Sequence, residues 1–275
     1  MTRDELHSLL LSICLEIDKV CRKNNIEYYL EGGSLLGMVR DKGFIPWDDD
    51  LDICIWYREK ERLVKALREE LPPNLSVIEI EDMNPYFYDF VMRVVDKRYN
   101  WHEPTKFDEC YENKNNYVGI DIMFISPTAN TKLGQKLEAF KIKTLYGMAM
   151  GHRPSLDYSK YKGLQLAQVK LLSGLGKLYS TKSICKKFQN YNRRRIDKKK
   201  KYCIFTSETL KHVGKLYETE WFKEPQYMAF EDAKLPAPKG YDGKLRVQFG
   251  DYMTPVRDSI YITHMQFDEN GNQIG

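Results

Sequence analysis

Four aspartates stand in five positions: Asp48, Asp49, Asp50 and Asp52. Clustered carboxylates repel one another, so they persist in water or around a cation. Three readings compete. A solvated acidic turn needs no ligand. A calcium loop counted from Asp48 puts Asp50, Asp52 and Glu59 at ligand positions, but its sharp turn needs glycine where Ile53 stands. The third reading joins the cluster to Gly32-Gly33-Ser34, which follows a short apolar segment and opens an apolar run. That pattern is a tight turn into a helix N-terminus, whose amide donors and dipole suit phosphate. Asp50 and Asp52 would then hold Mg²⁺ against the same phosphates, because magnesium takes oxygen ligands and shares them with substrate phosphate groups. Such a site wants a third carboxylate from a neighbouring strand. Asp121 is the candidate: it sits inside the apolar run Val118–Ile125, where an unpaired charge is costly.

Further residues fit a bound phosphate. Gly33 and Ser34 would cradle it through backbone amides and a hydroxyl. Arg40 and Arg93 are candidate clamps. Arg93 lies in the apolar run Phe90–Val95, where a lone cation needs an anion; an internal ion pair is the competing reading. For Arg40 the competing reading is a surface helix residue.

The elements that must position these groups follow from periodicity. Thr2-Arg3-Asp4-Glu5 fits a capping box, and Leu6, Leu9, Leu10, Ile13, Ile17 and Val20 recur at helical spacing. Ile26–Leu30 reads as a strand. Asp48–Trp56 reads as another, with Leu51, Ile53 and Ile55 on one face and Asp50 and Asp52 together on the other. Arg58–Leu71 predicts an amphipathic helix stopped by Pro72-Pro73. Strands are predicted at Ser76–Ile80, Phe87–Val95 and Tyr117–Ile125. Helices are predicted at Thr131–Met150, Leu164–Leu172 and Thr181–Arg195. The last 70 residues read as irregular, with short elements and many aromatics, and no clean linker shows.

Composition bounds the class. With 275 residues, 42% hydrophobic and 30% charged, the chain can bury a substantial core. No apolar run approaches the roughly 18 residues of a membrane span. Leu9–Leu15 is flanked by acids, which does not fit a signal peptide. A cytoplasmic protein is expected. The basic run Arg193–Lys201 reads as a solvated helix end, and the competing reading is contact with anionic lipid or a lipid-linked phosphate at the inner membrane face. The six cysteines show no C-x-x-C spacing, which predicts reduced, buried thiols. The net charge of +4 is mild and points to local basic patches for an anionic partner; no nucleic acid is expected.

Gly32-Gly33-Ser34, Asp50-Leu51-Asp52 and Asp121 together resemble the nucleotidyltransferase fold shared with polymerase beta. The segments Glu31–Arg40 and Gly43–Ile53 resemble the LicD family more closely, which is similar to fukutin-type phosphotransferases. Leu245–Pro255 resembles that family's C-terminal signature, departing from it at Phe249 and Val256. The resemblance implies an α+β fold: a nucleotidyltransferase-like mixed sheet flanked by helices. Residues 1–150 would form the catalytic core, and residues 151–275 a helical and irregular part packed on it. It also implies transfer of phosphocholine from CDP-choline to a hydroxyl of a cell-surface glycan precursor, of teichoic acid or lipopolysaccharide type. One or two Mg²⁺, or Mn²⁺, would sit on Asp50, Asp52 and Asp121. Choline offers no hydrogen-bond donors and is held by aromatic faces. Trp47 beside the acidic cluster is the first candidate, with Trp101, Tyr241 and Tyr252 behind it. His264 is a candidate on the acceptor side. Transfer of another phospho-alcohol such as ribitol or glycerol phosphate, true nucleotidyl transfer, and nucleotide binding without turnover remain alternatives.

Overall fold

The computed structural model describes residues 1–196, 199–207 and 213–254, with Met265, Phe267, Gly271 and Gln273 beyond them. Helix α1 (Arg3–Lys23) begins at the capping box: Thr2 Oγ1 accepts from the Glu5 amide, and the Glu5 carboxylate accepts from the Thr2 amide. Its buried stripe includes Leu6, Leu10, Ile13 and Ile17. Next come β1 (Tyr28–Leu30), α2 (Gly32–Arg40), β2 (Asp52–Trp56) and α3 (Lys60–Glu70). Then follow β3 (Leu75–Ile78), β4 (Met92–Asn100), the short α4 (Lys106–Glu109) and β5 (Tyr117–Pro127). Three helices come after β5: α5 (Lys132–Ala149), α6 (Gly163–Gly176) and α7 (Thr181–Arg193). The chain continues through β6 (Tyr202–Phe205), β7 (Tyr217–Glu218), β8 (Pro225–Phe230), β9 (Ala233–Pro238) and α8 (Tyr241–Phe249).

The central sheet runs β1-β2-β5-β4-β3, with β6 paired to β5 and β7 to β6. β2 and β5 are parallel and the other pairings antiparallel. This is the expected mixed sheet flanked by helices. Both of its faces are buried around β2. Ile53 and Ile55 enter the main core, while Cys54 and Trp56 enter a second cluster with Ile125, Phe205 and Phe222. Burial on both faces explains why β2 and β5 read as nearly continuous apolar runs. Five cysteines are buried and Cys110 is half-buried. Among the described residues, no helix is long and apolar enough to cross a membrane.

Three expectations need correction. β2 starts at Asp52, so Asp50 precedes the strand and does not share a strand face with Asp52. β4 starts at Met92, not Phe87. The aromatic residues before it serve the core: Phe87 and Phe90 contact at 4.9 Å, and Phe90 stacks on Phe188 of α7 at 4.1 Å. The stretch after α7 is less irregular than expected. It supplies β6 and β7 to the central sheet and the β8–β9 hairpin, from strands of two to six residues that give little period to read.

The Phe90–Phe188 stack couples α7 to the segment that leads into β4. Phe188 is fully buried, so Phe188→Ala removes both its transfer energy and its packing. A loss of about 3–5 kcal/mol in urea-induced unfolding is expected. A loss under about 1 kcal/mol would show that α7 is not part of the cooperative core.

Candidate active site

Strand register builds the site. Asp52 opens β2 and faces Asp121 across the parallel β2–β5 pairing. Asp121 in turn faces Arg93 across the antiparallel β4–β5 pairing. Cross-strand partners point to the same side of a sheet. Asp52, Asp121 and Arg93 therefore form a row across three adjacent strands. Sequence reasoning found all three, and the structure brings them together.

Arg93 is 3% exposed. Its Nε donates to Asp121 Oδ1 at 2.8 Å, and its terminal nitrogens donate to the carbonyls of Lys114, Asn115 and Tyr117 at 2.9–3.1 Å. Burial lowers its pKa most, but the Asp121 charge, Tyr88, the hydrogen bond to Asp121 and the Asp52 charge together outweigh that and raise it. Of the two readings of Arg93, the structure carries the internal ion pair: its donors hold Asp121 and the chain beside it.

The Gly-Gly-Ser turn holds the aspartates in place. Gly32 has φ +54°, a left-handed conformation that favours glycine. A Cβ on Gly33 would collide with the Asp48 carboxylate. Ser34 Oγ accepts from the Asp52 amide at 2.8 Å, and the Glu31 amide donates to the Asp52 carbonyl at 2.9 Å. Thus α2 fixes where β2 begins.

The electrostatics are lopsided. Burial pushes the Asp52 carboxyl well above the usual carboxylate range, and Asp50, Asp121, Asp48 and Glu31 push it further. Burial, then Asp49, pushes Asp48 up to about 6. The carboxylate oxygens of Asp48, Asp49 and Asp50 lie within 4.8 Å of one another. Asp49 is buried and accepts from the Met265 amide at 2.6 Å, which ties a late segment to the cluster. Asp52 and Asp121 stand beside this group, not inside it. The donors are all hard oxygens, the chemistry Mg²⁺ or Mn²⁺ prefers. A divalent cation would relieve the repulsion felt at Asp52, so these residues fit one.

Other expected residues are placed differently. Arg40 forks onto Asp41 at 2.8–3.2 Å, and its guanidinium carbon lies 5.9 Å from the Trp47 ring centroid. Trp47 is half-buried and packs on the core. Tyr252 is buried; its hydroxyl donates to Asp242 Oδ1 at 2.8 Å at the start of α8. Trp101 is buried in the main core and Tyr241 packs against it. His264 lies outside the described residues, as do two positions of the Arg193–Lys201 run.

Sequence reasoning missed three groups. Glu31 and Lys244 form a fully buried ion pair at 2.6 Å, and Lys244 also donates to Gln248 Oε1. An acid ending the apolar strand Tyr28–Leu30 was the available signal for Glu31, by the argument applied to Asp121. Asp89 accepts from the Tyr146 hydroxyl at 2.9 Å, with Arg153 at 3.9 Å, and burial pushes its carboxyl up to about 6.

With this geometry in view, the comparisons are informative. Residues 25–143 match the family model described as LicD/FKTN/FKRP, nucleotidyltransferase domain. The chain carries a LicD-family domain. All of the row and all of the aspartate cluster fall within it. Beyond the domain, the chain is 24% identical over 260 residues to the lipopolysaccharide cholinephosphotransferase LicD of Haemophilus influenzae, covering 92% of each chain. A 58-residue stretch is 43% identical to an uncharacterised protein of Rickettsia prowazekii, covering 21% of this chain and 22% of that one. A 51-residue stretch is 45% identical to a Rickettsia typhi protein, covering 18% and 16%.

The raised Asp48 carboxyl gives this LicD-type site a stability signature. A carboxyl raised on folding binds its proton more tightly in the folded state. Stability therefore falls as pH climbs from about 4 through about 6, and stays lower above. Asp48→Asn removes that fall. In urea titrations with EDTA, the variant is expected to exceed the parent by about 2 kcal/mol at pH 8 and to match it near pH 4. An equal difference at both pH values would contradict the assignment.

Proposed function

We propose that the protein transfers phosphocholine from CDP-choline to a hydroxyl of a cell-surface glycan precursor and releases CMP. The observation that carries this reading is the Asp52–Asp121–Arg93 row beside the Gly-Gly-Ser turn, in a LicD-family domain. The full-length similarity to a lipopolysaccharide cholinephosphotransferase supports the payload and the acceptor class.

Asp50, Asp52 and Asp121 would hold one or two divalent cations. Such a cation would neutralise charge on the diphosphate and on the departing CMP. The chain's own residues do the rest. Ser34 and Glu31 fix the backbone at Asp52, so its carboxylate faces the donor at a set height on the sheet. Arg93 grips Oδ1 of Asp121 and leaves Oδ2 to face the acceptor. The acceptor hydroxyl attacks the phosphorus bearing choline. Its proton passes to Asp121 Oδ2, and the bond from that phosphorus to the bridging oxygen breaks. CMP leaves with the bridging oxygen. Arg93 is a positioning residue in this scheme.

CDP-choline labelled separately in choline and in cytidine tests the reading. With a lipopolysaccharide or teichoic acid precursor, choline label is expected on the acceptor and cytidine label in free CMP. Asp121→Asn is expected to lower kcat by about 100-fold or more with the fold retained. Cytidine label on the acceptor would replace the reading with nucleotidyl transfer. Transfer only from a ribitol or glycerol donor would replace the payload.

A further inference from the structure

We propose that the helical layer α5–α6–α7 is a surface that docks on an anionic lipid bilayer. The proposal rests on observations away from the carboxylates and on no reading of what is transferred. It begins with α6, which carries Lys170 as its one charge and is otherwise apolar or small nearly all round. A helix of that kind is ordinarily buried. Here Val169, Ser173 and Gly176 are buried, while Leu164 and Leu171 are 76% and 62% exposed. Leu164, Leu171 and Leu178, just past the helix end, recur every seven residues and so share a face. On α5, Leu133, Leu137 and Phe140 recur at four and three residues and are 70%, 52% and 67% exposed. Close packing holds the two helices together: a Cβ on Gly147 would strike Leu172, and one on Gly176 would strike the Met148 backbone. Single exposed leucines need no explanation, but two rows of them in one layer do.

Charge identifies the occupant. Between Thr131 and Ile196 the sequence has 15 lysines and arginines against two acids, Glu138 and Asp157. The whole chain is only +4, so the remainder is net acidic. Glu138 is taken by Arg195 at 2.8 Å and Thr128 at 2.6 Å. A groove of about 580 Å³ between α5 and α7 is lined by Lys141, Lys187, Arg194 and Arg195, with Phe140 on its wall. Phe140 thus belongs both to the apolar row and to the cationic groove. A bilayer satisfies both at once: aliphatic tips enter the acyl boundary while lysine and arginine heads stay among anionic headgroups. A second copy would bring two cationic layers together and be repelled. A nucleic acid would meet the cations and leave the leucines in water.

Sedimentation of the full chain with vesicles tests this. Binding to phosphatidylcholine vesicles containing a quarter phosphatidylglycerol is expected to be at least about tenfold tighter than to phosphatidylcholine alone, and to weaken in ~0.5 M NaCl. Leu137→Gln combined with Leu171→Gln changes only exposed positions, and its thermal unfolding should match the parent's. This variant is expected to lose at least about tenfold in binding to the anionic vesicles. Lys141→Gln with Lys187→Gln is expected to lose the preference for phosphatidylglycerol. Equal binding to both vesicle types, no binding, or full binding by the leucine variant overturns the proposal. A concentration-dependent dimer that the leucine variant abolishes, with no vesicle binding, overturns it in favour of a second copy.

Discussion

The parallel register of β2 on β5 sets the rest of the site. It places Asp52 directly beside Asp121, and two carboxylates at that spacing repel. The fold answers on both sides of the pair. On one side Arg93, a strand further out, neutralises Asp121 and is itself fixed by three backbone carbonyls. On the other, Glu31 lies against β2 and is matched by Lys244 from the late helix α8. Among the described residues Asp52 forms no such ion pair; Arg93 feels its charge but binds Asp121. The Asp52 carboxyl is pushed up by burial and by every acid around it, so the negative potential of the site is concentrated there. Breaking a buried pair strands a charge at a cost of several kcal/mol, so both ion pairs bind distant parts of the chain to the site.

The sequence made the row legible and hid its surroundings. Asp121 was found because a charge in an apolar strand demands a partner. The same rule left Arg93 with two readings, and the answer lay in register: each residue is the other's partner. Register depends on which strands pair, and no local pattern states that. Glu31 carries a weaker local signal, because the glycines after it read as a turn, where a carboxylate is ordinary. Period two places Asp50 in the strand, yet β2 starts at Asp52, where the Ser34 hydroxyl accepts from the backbone amide. Aromatic residues carried the least information. Trp47 stands by the aspartates in sequence, but Arg40 lies near its ring, and Tyr252 is taken up by Asp242. β6 escaped notice because four residues show too little period, although it pairs with the far end of β5.

The chain separates its charges. The acidic cluster lies in the LicD-family domain, while the lysine- and arginine-rich helices α5–α7 lie mostly beyond it. A negative site suits a cation-bound diphosphate donor. A positive layer with leucines at its surface suits the membrane on which lipid-linked glycan precursors are carried. Joining the two in one chain would bring a water-soluble donor to an acceptor held at a surface, and would shorten the search for it.

In the proposed reaction, the carboxyl of Asp52 would hold a divalent cation against the donor's diphosphate. Calorimetric titration of Mg²⁺ into the full chain, with and without CDP-choline, tests it most directly. The account predicts Mg²⁺ binding that strengthens with CDP-choline present and that falls by about tenfold or more in Asp52→Asn with unfolding still cooperative. Undiminished Mg²⁺ binding by Asp52→Asn would contradict it.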